Sequence, residues 1–296
     1  MLRRATDALL YSNVFVALCA IGFALASYRL LGLVPRADHT AWLIGGATLS
    51  GYLLLRLEGS RRLAEAGYAD RLLWVVRNRR WAWALFGAGL SVALFGMWIA
   101  PPSVRLALLP AAGLAFGYGL PYLPLPLHLR LRRRNYLKIF LIAGVWAWVA
   151  VAIPWAGAGL NLAEGGGWSL LASRFLFVVA ITLPFDIRDI ETDRVQRIRT
   201  LPAVLGVSRS ITLSRLLLLL AWCSLWPSAE AAYAQPWWNV MIPLGLLYAL
   251  TAWLVGRSSR TGNDYLYLGW LDGTMLAHVL VLEAAWFVAK QGWLSV

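Results

Sequence analysis

The chain has 296 residues, enough for one large domain or two small ones. Sixty per cent are hydrophobic and only 14% charged, where a soluble domain carries roughly 25%, so an ordinary soluble globular protein is excluded. The net charge of +13 does not point to nucleic acid, because the Lys and Arg lie between apolar segments.

A helix needs about 20 mostly apolar residues to cross a bilayer. In chain order the runs predict nine: 9–31, 40–56, 81–100, 104–121, 137–156, 169–186, 210–227, 237–256 and 266–288. The first run is too long for a cleaved signal peptide and has no clear cleavage site, so it is expected to remain as the first span. Cys19 and Cys223 fall inside apolar runs, which indicates neither a disulfide framework nor a metal-binding pair. The 17 Trp suit a protein with two water–lipid boundaries.

All Lys and Arg except Arg29, Arg36, Arg105, Arg174 and Lys290 collect on one side of this map. The positive-inside rule makes that side cytoplasmic. The expectation is an all-α integral protein of a bacterial inner membrane, with its N-terminus cytoplasmic and helices around a central cavity. Residues 1–296 form one transmembrane domain, with a weak pseudo-repeat of spans 1–4 (9–121) and 5–8 (137–256) before a ninth span.

The sixth span ends in "PFDIRDIETDRVQRIRTLP", which holds Asp186, Asp189, Glu191 and Asp193 among several arginines. Asp186, Asp189 and Asp193 stand at i, i+3 and i+7 and share one face of a continuous helix. Like charges at a membrane boundary are costly unless paired. Mg²⁺ suits carboxylates combined with waters and substrate phosphates, and guanidinium forks suit phosphate oxygens. The cluster therefore reads as a Mg²⁺–diphosphate site. The plainer reading is a salt-bridged helix end, and the preceding Pro184, which opens the backbone ladder, favours the first.

The stretch "FDIRDIETDRVQRIRTLPAVLG" resembles the second aspartate-rich motif of the UbiA superfamily of intramembrane prenyltransferases. The matching positions are Asp186, Asp189, Glu191, Asp193, Arg194, Thr200, Leu201, Pro202 and Gly206. Thr192 and Arg197 stand where that pattern has glycine. The resemblance implies nine helices, Mg²⁺ on Asp186, Asp189 and Asp193, and ionisation of an isoprenoid diphosphate donor for transfer to a lipophilic acceptor. It also implies phosphate contacts from Arg188, Arg194 and Arg199. The family's first motif, N-D-x-x-D-x-x-x-D after span two, is missing: "YLLLRLEGSRRLAEAGYADRLLW" offers Glu58 amid Arg56, Arg61 and Arg62, with Asp70 later.

Arg56 and Lys138 are further candidates for substrate phosphate, against a topological or snorkelling role. Tyr118, beside Tyr122 at the end of span four, could face a carbocation or serve as an interfacial tyrosine. Asp272 is an intramembrane acid and so a functional candidate, whereas His278 and Glu283 are expected to hydrogen-bond within the bundle. Prenyl transfer is the leading expectation. The alternatives are a non-catalytic protein that binds or moves an anionic lipid, and an intramembrane terpene cyclase.

Overall fold

The computed structural model describes residues 2–35, 38–63, 70–119, 137–195, 199–232, 237–258 and 263–290. Every regular element among them is helical, as the apolar runs predict. Helices α1 (Leu2–Tyr11) and α2 (Val14–Leu30) occupy the place of the first expected span, but they meet at 63°. The bend is at Asn13, whose φ of 64° is left-handed, a region Asn enters more readily than most residues.

Next come α3 (His39–Leu63), α4 (Asp70–Arg77), α5 (Arg79–Ile99), α6 (Pro102–Gly119), α7 (Leu137–Gly157) and α8 (Gly167–Arg188). After them stand α9 (Ile190–Val195), α10 (Leu201–Leu205), α11 (Val207–Cys223), α12 (Trp226–Ala232) and α13 (Trp238–Val255). The last long helix opens as π-helical turns over Tyr265–Leu271 and continues as α14 (Asp272–Lys290).

Among the described residues six helices are long and apolar enough to cross a membrane, or seven if the bent pair is one span. The expected nine is not reached on that measure. Helices do stand over 40–56 and 104–119, but α3 ends in Arg56, Glu58, Arg61 and Arg62, and α6 contributes only the shorter apolar stretch Pro102–Leu114.

Packing closes a circuit. α2 touches α7 and α14, α14 touches α13, α13 touches α11, α11 touches α8, and α8 touches α7. One apolar cluster draws on all six: Phe23, Val151, Phe177, Leu218, Leu244 and Met275. α3 lies against α2, α5 against α3, and α6 against α7.

Two sequence details shape this packing. Pro184 in α8 has no N–H, so the carbonyl four residues earlier loses its helical partner. That carbonyl belongs to Ala180, and Ser214 of α11 donates to it. The backbone defect is thereby satisfied from a neighbouring helix, as buried backbone requires.

The second detail is the α3–α5 contact, where glycines let the backbones touch. A Cβ added at Gly46 would lie 2.5 Å from Ala93 N and Gly89 O, and one at Gly96 would lie 2.6 Å from Leu43 N. Small residues allow such close approach in membrane bundles. Gly46→Val is expected to cost about 2–3 kcal/mol, because backbone cannot move aside as a side chain can. Thermal unfolding in detergent measures this. Gly51→Ala, which meets nothing within 4 Å, is the control expected to leave stability nearly unchanged.

Deeper in the bundle, Arg174 of α8 is fully buried. Its guanidinium carbon lies 4.2 Å above the Phe23 ring, and none of its three side-chain nitrogens has a hydrogen-bond partner. A desolvated cation–π contact is worth about 2 kcal/mol, against several kcal/mol for burying a charge. Phe23 and the neighbouring Tyr248 hydroxyl offset only part of that cost. By contrast, Arg29 of α2 makes a two-pronged ion pair with Glu283 of α14 and lies 4.2 Å from the Trp286 ring centre.

Candidate functional site

The charged mouth of the bundle is assembled where α8 stops. Asp189, with φ −89° and ψ 6°, ends α8, and its N–H donates to Phe185 O at 3.0 Å. α9 restarts at Ile190, with Asp193 N–H donating to Asp189 O at 2.8 Å. The helix is thus interrupted at Asp189, between Asp186 and Asp193, while i→i−4 bonds persist on both sides. Asp189 pairs with Arg188, and Asp186 and Asp193 are buried.

Arg188 grips Asp189 with both prongs, Nε to Oδ1 at 2.8 Å and Nη2 to Oδ2 at 3.1 Å. Its Nη1 donates to Asp264 Oδ1 at 2.9 Å. Arg71 of α4 bridges the same two acids, at 3.4 Å to Asp189 and 3.5 Å to Asp264. Rings of Tyr267 and Phe185 lie 4.9 and 5.3 Å from the Arg188 guanidinium. Two arginines and two carboxylates make a neutral square joining α8, α4 and the start of the last helix. Burial disfavours the Asp189 carboxylate, but the hydrogen bonds and charge of Arg188, helped by Arg71 and Lys138, outweigh it and hold its pKa below the usual range.

Asp186 and Asp193 are in a different situation. Asp186 is met by Lys138 Nζ at 3.7 Å from the start of α7. Asp193 is 7% exposed, and its Oδ2 is buried with no hydrogen-bond partner. Burial pushes the Asp193 carboxyl up to about 6; Lys138 opposes the shift, and the charges of Asp186 and Asp189 add to it.

Among the described residues no group of three or more His, Cys, Asp or Glu converges to hold a metal. Two carboxylates, however, suit a Mg²⁺ ion that keeps waters and substrate phosphates in its shell. The partnerless oxygen of Asp193, within electrostatic reach of Asp186, is what such an ion would satisfy. The donor set fits one Mg²⁺ on Asp186 and Asp193.

The opposite wall is basic. Arg56 of α3 donates to Tyr11 O at 2.6 Å and lies within electrostatic reach of Arg71, Asp264 and Asp272. Asp272 is buried and feels Arg188 and Arg56. Of the predicted residues, the structure brings together Asp186, Asp189, Asp193, Arg188, Lys138 and Arg56. Arg194 and Arg199 are exposed. The side chain of Tyr118 lies outside the described residues, as do those of Glu58, Arg61, Arg62, Asp70 and Tyr122.

His278 and Glu283 do bond within the bundle, to Thr274 O and Arg29 respectively. Sequence reasoning missed Arg71 and Asp264. The available signal was Asp264 standing just ahead of the last span in "TGNDYLYLGWLDG", on the same helix as Asp272. The π-helical turns between them are a feature that recurs at functional sites.

An apolar helical bundle with carboxylates and guanidiniums concentrated at one end is the architecture of an integral membrane protein. The chain belongs to the UbiA prenyltransferase family, whose model matches residues 75–286. Comparison of the sequence with curated proteins gives no match.

Among solved structures, the apo UbiA homologue from Aeropyrum pernix K1 is similar with TM-score 0.65 and 18% identity, over 93% of this chain and 98% of that one. The Archaeoglobus fulgidus UbiA homologue bound to GPP and Mg²⁺ has TM-score 0.65 and 14% identity, over 94% and 99%. The same homologue bound to DMAPP and Mg²⁺ has TM-score 0.63 and 14% identity, over 94% and 98%. At these identities the likeness establishes the fold.

Proposed function

We propose that this protein ionises an isoprenoid diphosphate at the mouth formed by α8, α9 and α4 and transfers the prenyl group to a lipophilic acceptor. The observation that carries the reading is the buried, partnerless oxygen of Asp193 beside Asp186, set among Lys138, Arg188, Arg71 and Arg56. Asp186 and Asp193 would hold Mg²⁺, which when bound supplies charge neutralisation at the departing diphosphate. Asp189 holds Arg188, and Arg188 with Arg71 and Arg56 supplies positive charge for the departing diphosphate. Preorganised cations aimed at a leaving phosphate lower the barrier without reorganisation. The apolar interior takes the isoprenoid tail and keeps water from the allylic cation. The family match and the GPP- and DMAPP-bound relatives support this reading. On the positive-inside rule, the mouth faces the cytoplasm of a bacterial inner membrane.

The test is diphosphate release by purified protein from geranyl, farnesyl and geranylgeranyl diphosphate, with and without Mg²⁺. Release that requires Mg²⁺ is the expected result, and product analysis then separates transfer from cyclisation. Tight binding of the diphosphates with no release in Mg²⁺ and candidate acceptors would replace prenyl transfer by the non-catalytic reading.

A further inference from the structure

The Arg174 cluster plays no part in the chemistry at the mouth. Arg174 precedes Arg188 by fourteen residues on α8, about 21 Å along a helix of 1.5 Å rise. One phosphate head group cannot reach both. Around Arg174 the rings of Phe23, Phe177, Tyr248 and His278 lie 4.7–5.6 Å apart in tilted or edge-on contacts. Four helices, α2, α8, α13 and α14, supply them. The Tyr248 hydroxyl lies 3.4 Å from Ser173 Oγ and is also a polar neighbour of Arg174, close enough to offset part of its charge.

Two buried side chains in this box have unused hydrogen-bonding atoms. Arg174 has Nε, Nη1 and Nη2 without partners, and His278 has Nε2 without one. The roles on His278 follow from its other nitrogen. Nδ1 lies 2.8 Å from Thr274 O, and a carbonyl only accepts, so Nδ1 carries the hydrogen. In the neutral ring Nε2 is then a bare lone pair. The box therefore offers a fork of donors and, beside it, an acceptor.

We propose that Arg174 and His278 form a second ligand site in the middle of the bundle, for the phosphate monoester head group of an apolar-tailed molecule. A monoester carrying one proton supplies unprotonated oxygens for the guanidinium fork and a P–OH hydrogen for His278 Nε2. A carboxylate supplies only acceptors, and an alcohol has no charge to offset Arg174. Phosphate matches the fork geometry of arginine, and an intramembrane ionisable group marks a ligand path by default. The head group has two chemical sources, an isoprenyl monophosphate or a glycerolipid phosphate. The site does not depend on the prenyl-transfer reading, since it uses none of the carboxylates at the mouth.

The experiment is calorimetric titration of the full-length protein in detergent with EDTA present, which removes any contribution from divalent cations. The probes are farnesyl phosphate, dioleoyl phosphatidate, farnesol and inorganic phosphate. A phosphate monoester should bind at least tenfold more tightly than farnesol, and whichever of farnesyl phosphate and phosphatidate binds better names the source. Arg174→Gln should weaken that binding at least tenfold, and His278→Phe about threefold.

Should the variants fold poorly, wild-type protein is photolabelled with farnesyl phosphate carrying a diazirine on its first isoprene unit. Labels are expected within 170–178 and 274–282. Equal binding of farnesol, undiminished binding by folded Arg174→Gln, or labels confined to 186–195 would each overturn the site and leave Arg174 to be satisfied by internal water.

Discussion

Asp193→Asn is expected to lower Mg²⁺-dependent diphosphate release by about 10²–10³-fold, the usual loss when one preorganised electrostatic group is removed from a transition-state site. Asp186→Asn should do the same. The two carboxylates differ in what they do for the fold. Asp193 is buried with one oxygen unpaired and its carboxyl pushed up to about 6. The sign of the linkage follows from that direction. An acid whose pKa is higher in the folded state binds more protons folded than unfolded, so its contribution to stability falls as pH rises from about 4 through 6. At neutral pH the metal-free protein therefore carries a destabilised carboxylate.

Asn mimics the protonated acid, so Asp193→Asn should hold or raise the melting temperature at pH 7.5 while activity collapses. Stability traded for a strained functional group is a recognised pattern. The same group gives a pH signature. Below pH 6 protons compete with Mg²⁺, so the Mg²⁺ concentration for half-maximal release should rise about tenfold per pH unit, in proportion to the lost carboxylate. A melting temperature that drops with the mutation, or a pH-independent Mg²⁺ requirement, would place the metal elsewhere.

Much of this was legible in the residues, for reasons that differ from one element to the next. Apolar run length marks α7, α8, α11, α13 and the last helix well, because lipid forces the backbone to satisfy itself within each segment. It overreads the first run, 9–31, because Asn13 bends the chain and leaves Val14–Leu30 as the continuous apolar helix. The charged mouth was legible from "DIRDIETDR", since crowding scarce carboxylates at a span end is costly unless a cation offsets them.

What was not legible is how those charges pair. Asp189 and Asp264 share Arg188 and Arg71, and Arg71 and Asp264 come from segments remote in sequence. Helical spacing describes a continuous helix only, so it could not show which aspartates remain open. Arg174 carries the same lesson. Positive-inside counting treats it as one of five residues on the sparse side of the membrane, whereas the structure buries it fully against Phe23.

Arg188→Gln tests whether the square of charges is part of the chemistry or only a brace. Removing the guanidinium leaves Asp189 and Asp264 near each other with Arg71 alone, at 3.4 and 3.5 Å. Truncating one partner of a buried pair costs 3–5 kcal/mol. Asp189 is about a third exposed, so solvent screens part of that, and a loss of about 2 kcal/mol is expected. The activity loss should be larger, about 10²-fold in kcat/KM, if the same guanidinium contacts the departing diphosphate as proposed.

Arg188→Lys should recover little, since an ammonium cannot span Asp189 with two parallel bonds and reach Asp264 as well. The double variant Arg188→Gln with Asp264→Asn separates the roles. It removes the stranded carboxylate, so thermal stability should return most of the way, a coupling that a double-mutant cycle reads directly. Activity should stay low. If instead activity returned together with stability, Arg188 would be a brace alone, and the phosphate contacts would fall to Arg71, Arg56 and Lys138.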